Sequence, residues 1–261
     1  MRPLPGPTRP LPTGGTTWAW RWQTPTAGRP WSWCRVYHRD AAQTPTGDTP
    51  RGYGPLARFD PHTRPPDAPG VDPTGRSVLY VGADLATAAS EVFGVAGEAL
   101  LCDRWRVCLL RPTRRLVLFD LTAPGAAMAI GALPSLADGF HPRALTQRWA
   151  RAIYEDNPTG FHVDGIRYRS AYNSGLALAL WDSRGHLAVP ADSAGRAQDF
   201  ALTHPAVLNR LTTAMTDRRI TVTIAAAGRC PRCRAATQPG TSPTAPGRPA
   251  GSSTGSRRPL P

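Results

Sequence analysis

Ser77–Phe93 reads SVLYVGADLATAASEVF, and its reading decides the fold. A short β-branched and aromatic run, Ser77–Val81, breaks at Gly82 and gives way to a helical pattern opened by Asp84. This predicts a strand, a tight turn and a helix. Leu85, Ala88, Ala89 and Val92 fall at i, i+3, i+4 and i+7, and the Asp84 carboxylate suits an N-cap because it can accept from the free amides of the first turn. Two polar residues stand out. Tyr80 ends the strand, and Glu91 lies on the helix flank, about 110° from the centre of the apolar stripe, where a carboxylate borders the core.

Outward from this unit the pattern is mixed. Trp33–Tyr37 reads as a strand carrying Arg35 among apolar neighbours, and a buried arginine calls for a carboxylate or phosphate partner. Residues 40–76 lack periodicity. Within them Gly52-Tyr53-Gly54-Pro55-Leu56-Ala57 imitates a dinucleotide fingerprint, but no strand precedes it and no helix follows. After Phe93, strands are expected at Trp105–Leu110 and Leu116–Leu121, joined as a hairpin through Arg111–Arg115. A helix follows at Arg143–Tyr154, then strands at Ile166–Arg169 and Leu176–Trp181, a helix at Ala206–Met215 and a strand at Ile220–Ile224. About seven strands and three helices without strict alternation predict an α+β fold.

The chain has 261 residues and a net charge of +13, with no lysine. That absence excludes phosphate-loop, Schiff-base and kinase lysines. Residues 1–30 and 228–261 hold ten of the 31 arginines and no acid, which leaves 21 arginines against 18 acids between them, about +3. Both ends are rich in Pro, Gly, Ser and Thr and are predicted to be disordered. The expected domain is therefore 31–227, and nucleic acid is expected only through the basic tails. Trp18, Trp20 and Trp22 alternate, as an edge strand, a docked peptide or translated sequence ahead of the true start would. With neither a signal-like start nor a long apolar run, the expectation is a cytoplasmic protein that does not engage a membrane.

Five cysteines fit a reducing compartment. Cys230-Pro231-Arg232-Cys233 has the spacing of a zinc knuckle, but the sequence offers no second pair, so a zinc site would need a second chain and no metal is expected. Cys34, Cys102 and Cys108 read as packed small hydrophobes.

The histidines His38, His62, His141, His162, His186 and His204 are scattered, and no serine triad or metal motif can be built on them. One glutamate with arginines and an aromatic ring is too little for an ordinary glycosidase, which also needs an acid for the leaving oxygen. Nicotinamide leaves NAD as a neutral molecule, so one carboxylate can suffice. Arginine forks suit a pyrophosphate and a tyrosine ring suits nicotinamide.

Trp33-Cys34-Arg35-Val36-Tyr37, Arg58-Phe59-Asp60, Val78-Leu79-Tyr80, Ser90-Glu91-Val92-Phe93 and Asp164-Gly165-Ile166-Arg167-Tyr168-Arg169-Ser170 together resemble the RES domain, named for its Arg, Glu and Ser. The resemblance implies a fold similar to the ADP-ribosyltransferases and an enzyme that destroys NAD by hydrolysis or phosphorolysis, as toxins of type II toxin–antitoxin pairs do. It implies Glu91 and Ser170 as catalytic residues, Arg58 and Tyr80 as NAD-binding residues, and Arg35 as a further member. NAD would be the substrate, with no cofactor; an antitoxin protein or a second copy of the chain would be a partner. The family's Gly-Gly-Arg-Trp-Asn stands here as Leu56-Ala57-Arg58-Phe59-Asp60, farther from Tyr80, and Arg51 or Arg64 is an alternative to Arg58. The same pocket would also serve a transferase that passes ADP-ribose to a macromolecule, or an idle binding module using its basic tails.

Overall fold

Val78 and Leu79 are 1 % exposed and Val81 2 %, so the run read as a strand sits in the middle of a sheet. The computed structural model describes residues 3–13, 15–23, 33–40, 44–226 and 228–237. In chain order its elements are β1 (Ala19–Trp22), β2 (Trp33–His38), β3 (Tyr53–Gly54), β4 (Gly70–Val71), β5 (Val78–Gly82), α1 (Leu85–Phe93), β6 (Glu98–Leu101), β7 (Trp105–Pro112), β8 (Leu116–Asp120), α2 (Ala126–Ala129), α3 (Arg143–Asp156), β9 (Gly165–Arg169), β10 (Leu176–Trp181), β11 (Leu187–Ala188), β12 (Asp199–Ala201), α4 (Pro205–Thr216), β13 (Thr221–Ile224) and α5 (Pro231–Thr237). The fold is α+β with a mixed sheet, as expected, and the short strands β3, β4, β6, β11 and β12 are what the sequence reading lacked. Among the described residues no helix is long and apolar enough to cross a membrane.

The β5–α1 unit forms as its residues dictate. Asp84 caps α1 through its carboxylate, which accepts from Thr87 N at 2.7 Å. The turn is tight enough that a Cβ on Gly82 would lie 2.5 Å from Ala88 N, so only glycine fits there. The buried face of α1 is Thr87, Ala88, Ala89, Ser90 and Phe93, while Val92, expected on it, is 37 % exposed. The helix packs on β2 and β5 and against α4, which rotates its buried face towards Phe93.

The main sheet runs β1-β8-β9-β10-β5-β2-β7-β11, with β12 also on β7. Its pairs are antiparallel except β8 with β9, which are parallel and joined through α2 and α3. The hairpin expected at 111–115 is not formed: β7 and β8 stand five strand spacings apart. In a flat sheet that is ~24 Å, whereas the link from Pro112 to Leu116 reaches at most ~14 Å. The sheet must therefore curl. Inside the curl Cys108 and Leu110 of β7 meet Leu116 and Leu118 of β8, together with Leu79, Leu178 and Leu180. A second core lies between the other face and α3 (Phe59, Phe119, Trp149, Ile153, Ile166, Tyr168), and a third between α1, α4 and β6.

The predicted disorder of both ends fails for the described residues. Leu4 and Leu11 are 6 % and 4 % exposed in the α3 core, Trp149 Nε1 donates to Pro5 O at 2.9 Å, and Arg9 pairs with Glu155 and Asp156 at the end of α3. Proline-rich composition hides this docking because the few apolar side chains present are all used. Ala19–Trp22 forms an edge strand after a 3-10 turn that ends at Trp18, with Trp20 and Trp22 set edge-on to Trp33 at 6.0 and 6.1 Å. Residues 228–237 include α5, which brings Cys230 and Cys233 to His38 and Cys102. Cys102 packs against the α1–α4 core as expected, and with His38 it lies beside the Cys230–Cys233 pair within one chain. The rest of the expected tails, 24–30 and 238–261, lies outside the described residues.

Candidate active site

Strand pairing decides which side chains share a face. Tyr80 lies opposite Ala179, which lies opposite Ile166; two residues along, Gly82 lies opposite Ala177 and then Tyr168. Tyr80 and Tyr168 therefore project from the same face, the one carrying α1 and the loop around Arg58. Glu91 reaches that face from the helix. Its Oε2 accepts from Tyr168 OH at 2.7 Å. Burial, and then the facing Glu91 carboxylate, push the Tyr168 phenol well above its ordinary pKa, so it is a fixed donor to Glu91.

Arg58 completes the group. Its guanidinium carbon stands 4.8 Å from the Phe59 ring centroid and 5.6 Å from that of Tyr168. It donates to Leu136 O at 2.7 Å and to Arg169 O at 3.3 Å, and its Nε is buried without a partner. Burial lowers its pKa, opposed by Tyr168 and Glu91. Among the described residues no carboxylate lies within ion-pair distance of it. A half-buried arginine held by carbonyls alone keeps its charge available to an anion.

Tyr80 is anchored by its hydroxyl, which donates to Asp60 Oδ1 at 2.8 Å and accepts from Phe59 N at 2.9 Å. Asp60 is 0 % exposed and is the hub of this corner. Its oxygens also accept from Arg51 Nη2 at 3.0 and 2.8 Å, from Leu56 N and from Ala57 N at 3.0 Å. Burial alone would raise the Asp60 pKa, but Arg51 and the two backbone amides outweigh it and hold the carboxyl below its usual range. Arg51, weighed as an alternative to Arg58, is thus committed to Asp60, and the Arg64 guanidinium packs against Gly70.

Ser170 is 1 % exposed and sits in the turn after β9, where its Oγ accepts from Tyr172 N at 3.3 Å. It reaches the site through that turn. Tyr172 stands in the field of Glu91 and Arg58, edge-on to Phe140 at 5.4 Å, and Asn173 ties the turn to Thr87 of α1 at 3.3 Å. A cavity of about 220 Å³ is walled by Leu121–Gly125, Ala137, Asp138 and Arg169, the last of which Arg58 contacts through its carbonyl. Its walls do not include Glu91.

Arg35 is not brought to this group. Cys34 lies opposite Gly82 and so shares the Tyr80 face, which turns Arg35 to the opposite face. There it donates to Gly47 O at 2.6 Å and Thr49 O at 2.7 Å and stands over Tyr37. The partner expected for its charge is a pair of carbonyls, and the residue holds the 44–49 loop to the sheet. Sequence reasoning missed Tyr168, Asp60 and Tyr172 as parts of the site. The signal was available for Tyr168, whose period-two position matches Ile166 on β9.

A family model for the RES domain matches residues 16–203. Among solved structures, a chain of the M. tuberculosis MbcT–MbcA toxin–antitoxin complex aligns at 19 % identity, covering 70 % of this chain and 88 % of that one, with a TM-score of 0.44. A comparison with curated proteins finds no match. The matched span begins before β1 and so includes the tryptophan-rich strand. With residues 16–203, most of its length, matched by that model, the chain belongs to the RES domain family.

Proposed function

We propose that this chain cleaves the nicotinamide–ribose bond of NAD and passes the ADP-ribosyl group to water or to phosphate. The observation that carries the reading is the junction of Glu91, Tyr168 and Arg58, one carboxylate and one unpaired cation meeting across a single phenol. In the reaction the C1′–N bond breaks and its electron pair returns to the pyridinium, which leaves neutral, so no acid is required. The ribose gathers positive charge in the transition state, and the Glu91 carboxylate stabilises that charge electrostatically. The hydrogen bond from Tyr168 keeps the carboxylate aimed before the substrate arrives. Arg58 would take the pyrophosphate and the anchored Tyr80 ring the nicotinamide, while Ser170 would hold the turn that presents Tyr172. The acceptor oxygen then bonds to C1′ and its proton is lost to solvent. Family membership supports a place in a toxin–antitoxin pair, with an antitoxin protein as partner.

The test follows NAD over time with the full chain, wild type beside Glu91→Gln, with and without phosphate. Wild type is expected to consume NAD and Glu91→Gln to fall at least ~100-fold at an unchanged melting temperature, in keeping with the loss of one main electrostatic group. ADP-ribose as product marks hydrolysis; its 1″-phosphate marks phosphorolysis. Equal rates in both proteins, or intact NAD in both, overturn the reading, and radiolabel fixed on protein or nucleic acid replaces it with a transferase.

A further inference from the structure

Four potential ligands from three distant parts of the chain meet at one corner of the fold. His38 ends β2, Cys102 lies in the turn from β6 to β7, and Cys230 and Cys233 flank the first turn of α5. His38 Nε2 and the three sulfurs all lie within 4.8 Å of one another. Nε2 is 3.6 Å from Cys102 Sγ, 3.8 Å from Cys230 Sγ and 3.4 Å from Cys233 Sγ. Cys102 Sγ and Cys233 Sγ are 3.6 Å apart, far beyond the ~2.05 Å of a disulfide.

These distances have a simple meaning. Bonds of ~2.3 Å to sulfur and ~2.1 Å to nitrogen around a tetrahedral ion place sulfurs ~3.8 Å apart and sulfur ~3.6 Å from nitrogen. The four edges given above scatter about those values, and the other two are within 4.8 Å. Supporting contacts match as well. The backbone amides of Arg232 and Cys233 face Cys230, and that of Arg104 faces Cys102, as the backbone of a knuckle does for a thiolate. Arg104 and Arg232 stand near His38, where they would balance the net −1 of three thiolates, one imidazole and a divalent ion. Trp105 packs edge-on to the His38 ring at 5.2 Å and fixes its plane.

We propose that His38, Cys102, Cys230 and Cys233 form a structural zinc site within one chain. Three thiolates and an imidazole select zinc over calcium, magnesium or manganese, and four protein ligands leave no position for a substrate or an activated water. The site lies four residues along β2 from the point where that strand meets β5, apart from Glu91, and its task is to staple the segment after β13 to the β2–β7 edge. It is independent of the reaction proposed above.

The experiment uses the full chain, purified without chelator, with metal read by plasma mass spectrometry and stoichiometry by native mass spectrometry. One zinc per chain is expected in wild type and in Cys34→Ser, whose thiol lies outside the cluster, and at least tenfold less in Cys233→Ser and His38→Ala. Should those variants fail to fold, wild type refolded with cobalt gives the reading: intense tetrahedral ligand-field bands with thiolate charge transfer are expected. Half a zinc per chain in a dimer, a Cys102–Cys233 disulfide, or metal-free protein with a six-coordinate cobalt spectrum would each overturn the proposal.

Discussion

Replacing Asp60 with Asn keeps the shape of the side chain and removes only its charge. In the folded protein that charge faces five donor contacts: two from Arg51, one each from Leu56 N and Ala57 N, and one from Tyr80 OH. An amide can accept at one oxygen, but its NH2 then points at groups that are themselves donors, and Arg51, 18 % exposed, loses its counter-ion. Breaking one side of a buried pair costs about 3–5 kcal/mol. At about 2–4 °C per kcal/mol for a chain of this size, the melting temperature should fall by roughly 6–20 °C. Differential scanning fluorimetry of Asp60→Asn beside wild type measures this, with the exposed Asp67→Asn as the control in the same loop. NAD consumption should also fall at temperatures where the variant is still folded, because the Tyr80 hydroxyl, to which the Phe59 amide donates, loses its own acceptor. A melting temperature within ~2 °C of wild type would show that Asp60 is not the hub described, and the account of how Tyr80 is held would fail with it.

Leu4→Ala and Leu11→Ala should each cost about 2–5 kcal/mol in urea unfolding, as core truncations do; losses below ~0.5 kcal/mol would return residues 3–13 to the disordered reading. Tyr168→Phe removes the hydrogen bond to Glu91 and should lower kcat by roughly 10–100-fold with KM little changed, whereas a pure KM effect would place Tyr168 in binding instead. Burial opposes but does not prevent lowered pKa values at Asp60, Asp72 and Glu155, and Asp156 is lowered chiefly by Arg9. A carboxyl whose folded pKa is depressed stabilises the fold above its unfolded pKa, about 4, and that contribution is lost as pH falls through the folded value. Thermal stability should therefore be level from pH 5 to 7 and drop steeply below pH 4; a loss that begins near pH 6 would point to histidines instead.

Local chemistry made the centre of the fold legible. An N-cap at Asp84, a glycine forced by close approach at Gly82 and the period-two run of β5 are visible in seventeen consecutive residues, and they deliver Tyr80 and Glu91 to the correct face. What the sequence withheld is pairing over long separations. Pro112 to Leu116 looks like a hairpin because nothing local says that four strands will curl between its ends. Arg35 looked like a site residue because its face depends on a single pairing, Cys34 with Gly82. Cys230 and Cys233 looked incomplete because their neighbours lie more than a hundred residues away. Leu4 and Leu11 were hidden by the prolines around them.

The docking of residues 3–13 on α3 also sets a clock on synthesis. Pro5 O meets Trp149 Nε1 across 144 positions, so this segment finds its partner only after a further 144 residues have been made. At about 5–20 residues per second that is a wait of roughly 7–30 s. Through that interval Leu4 and Leu11 have no α3 core to enter, and a nascent chain with exposed apolar side chains is a target for chaperones and proteases.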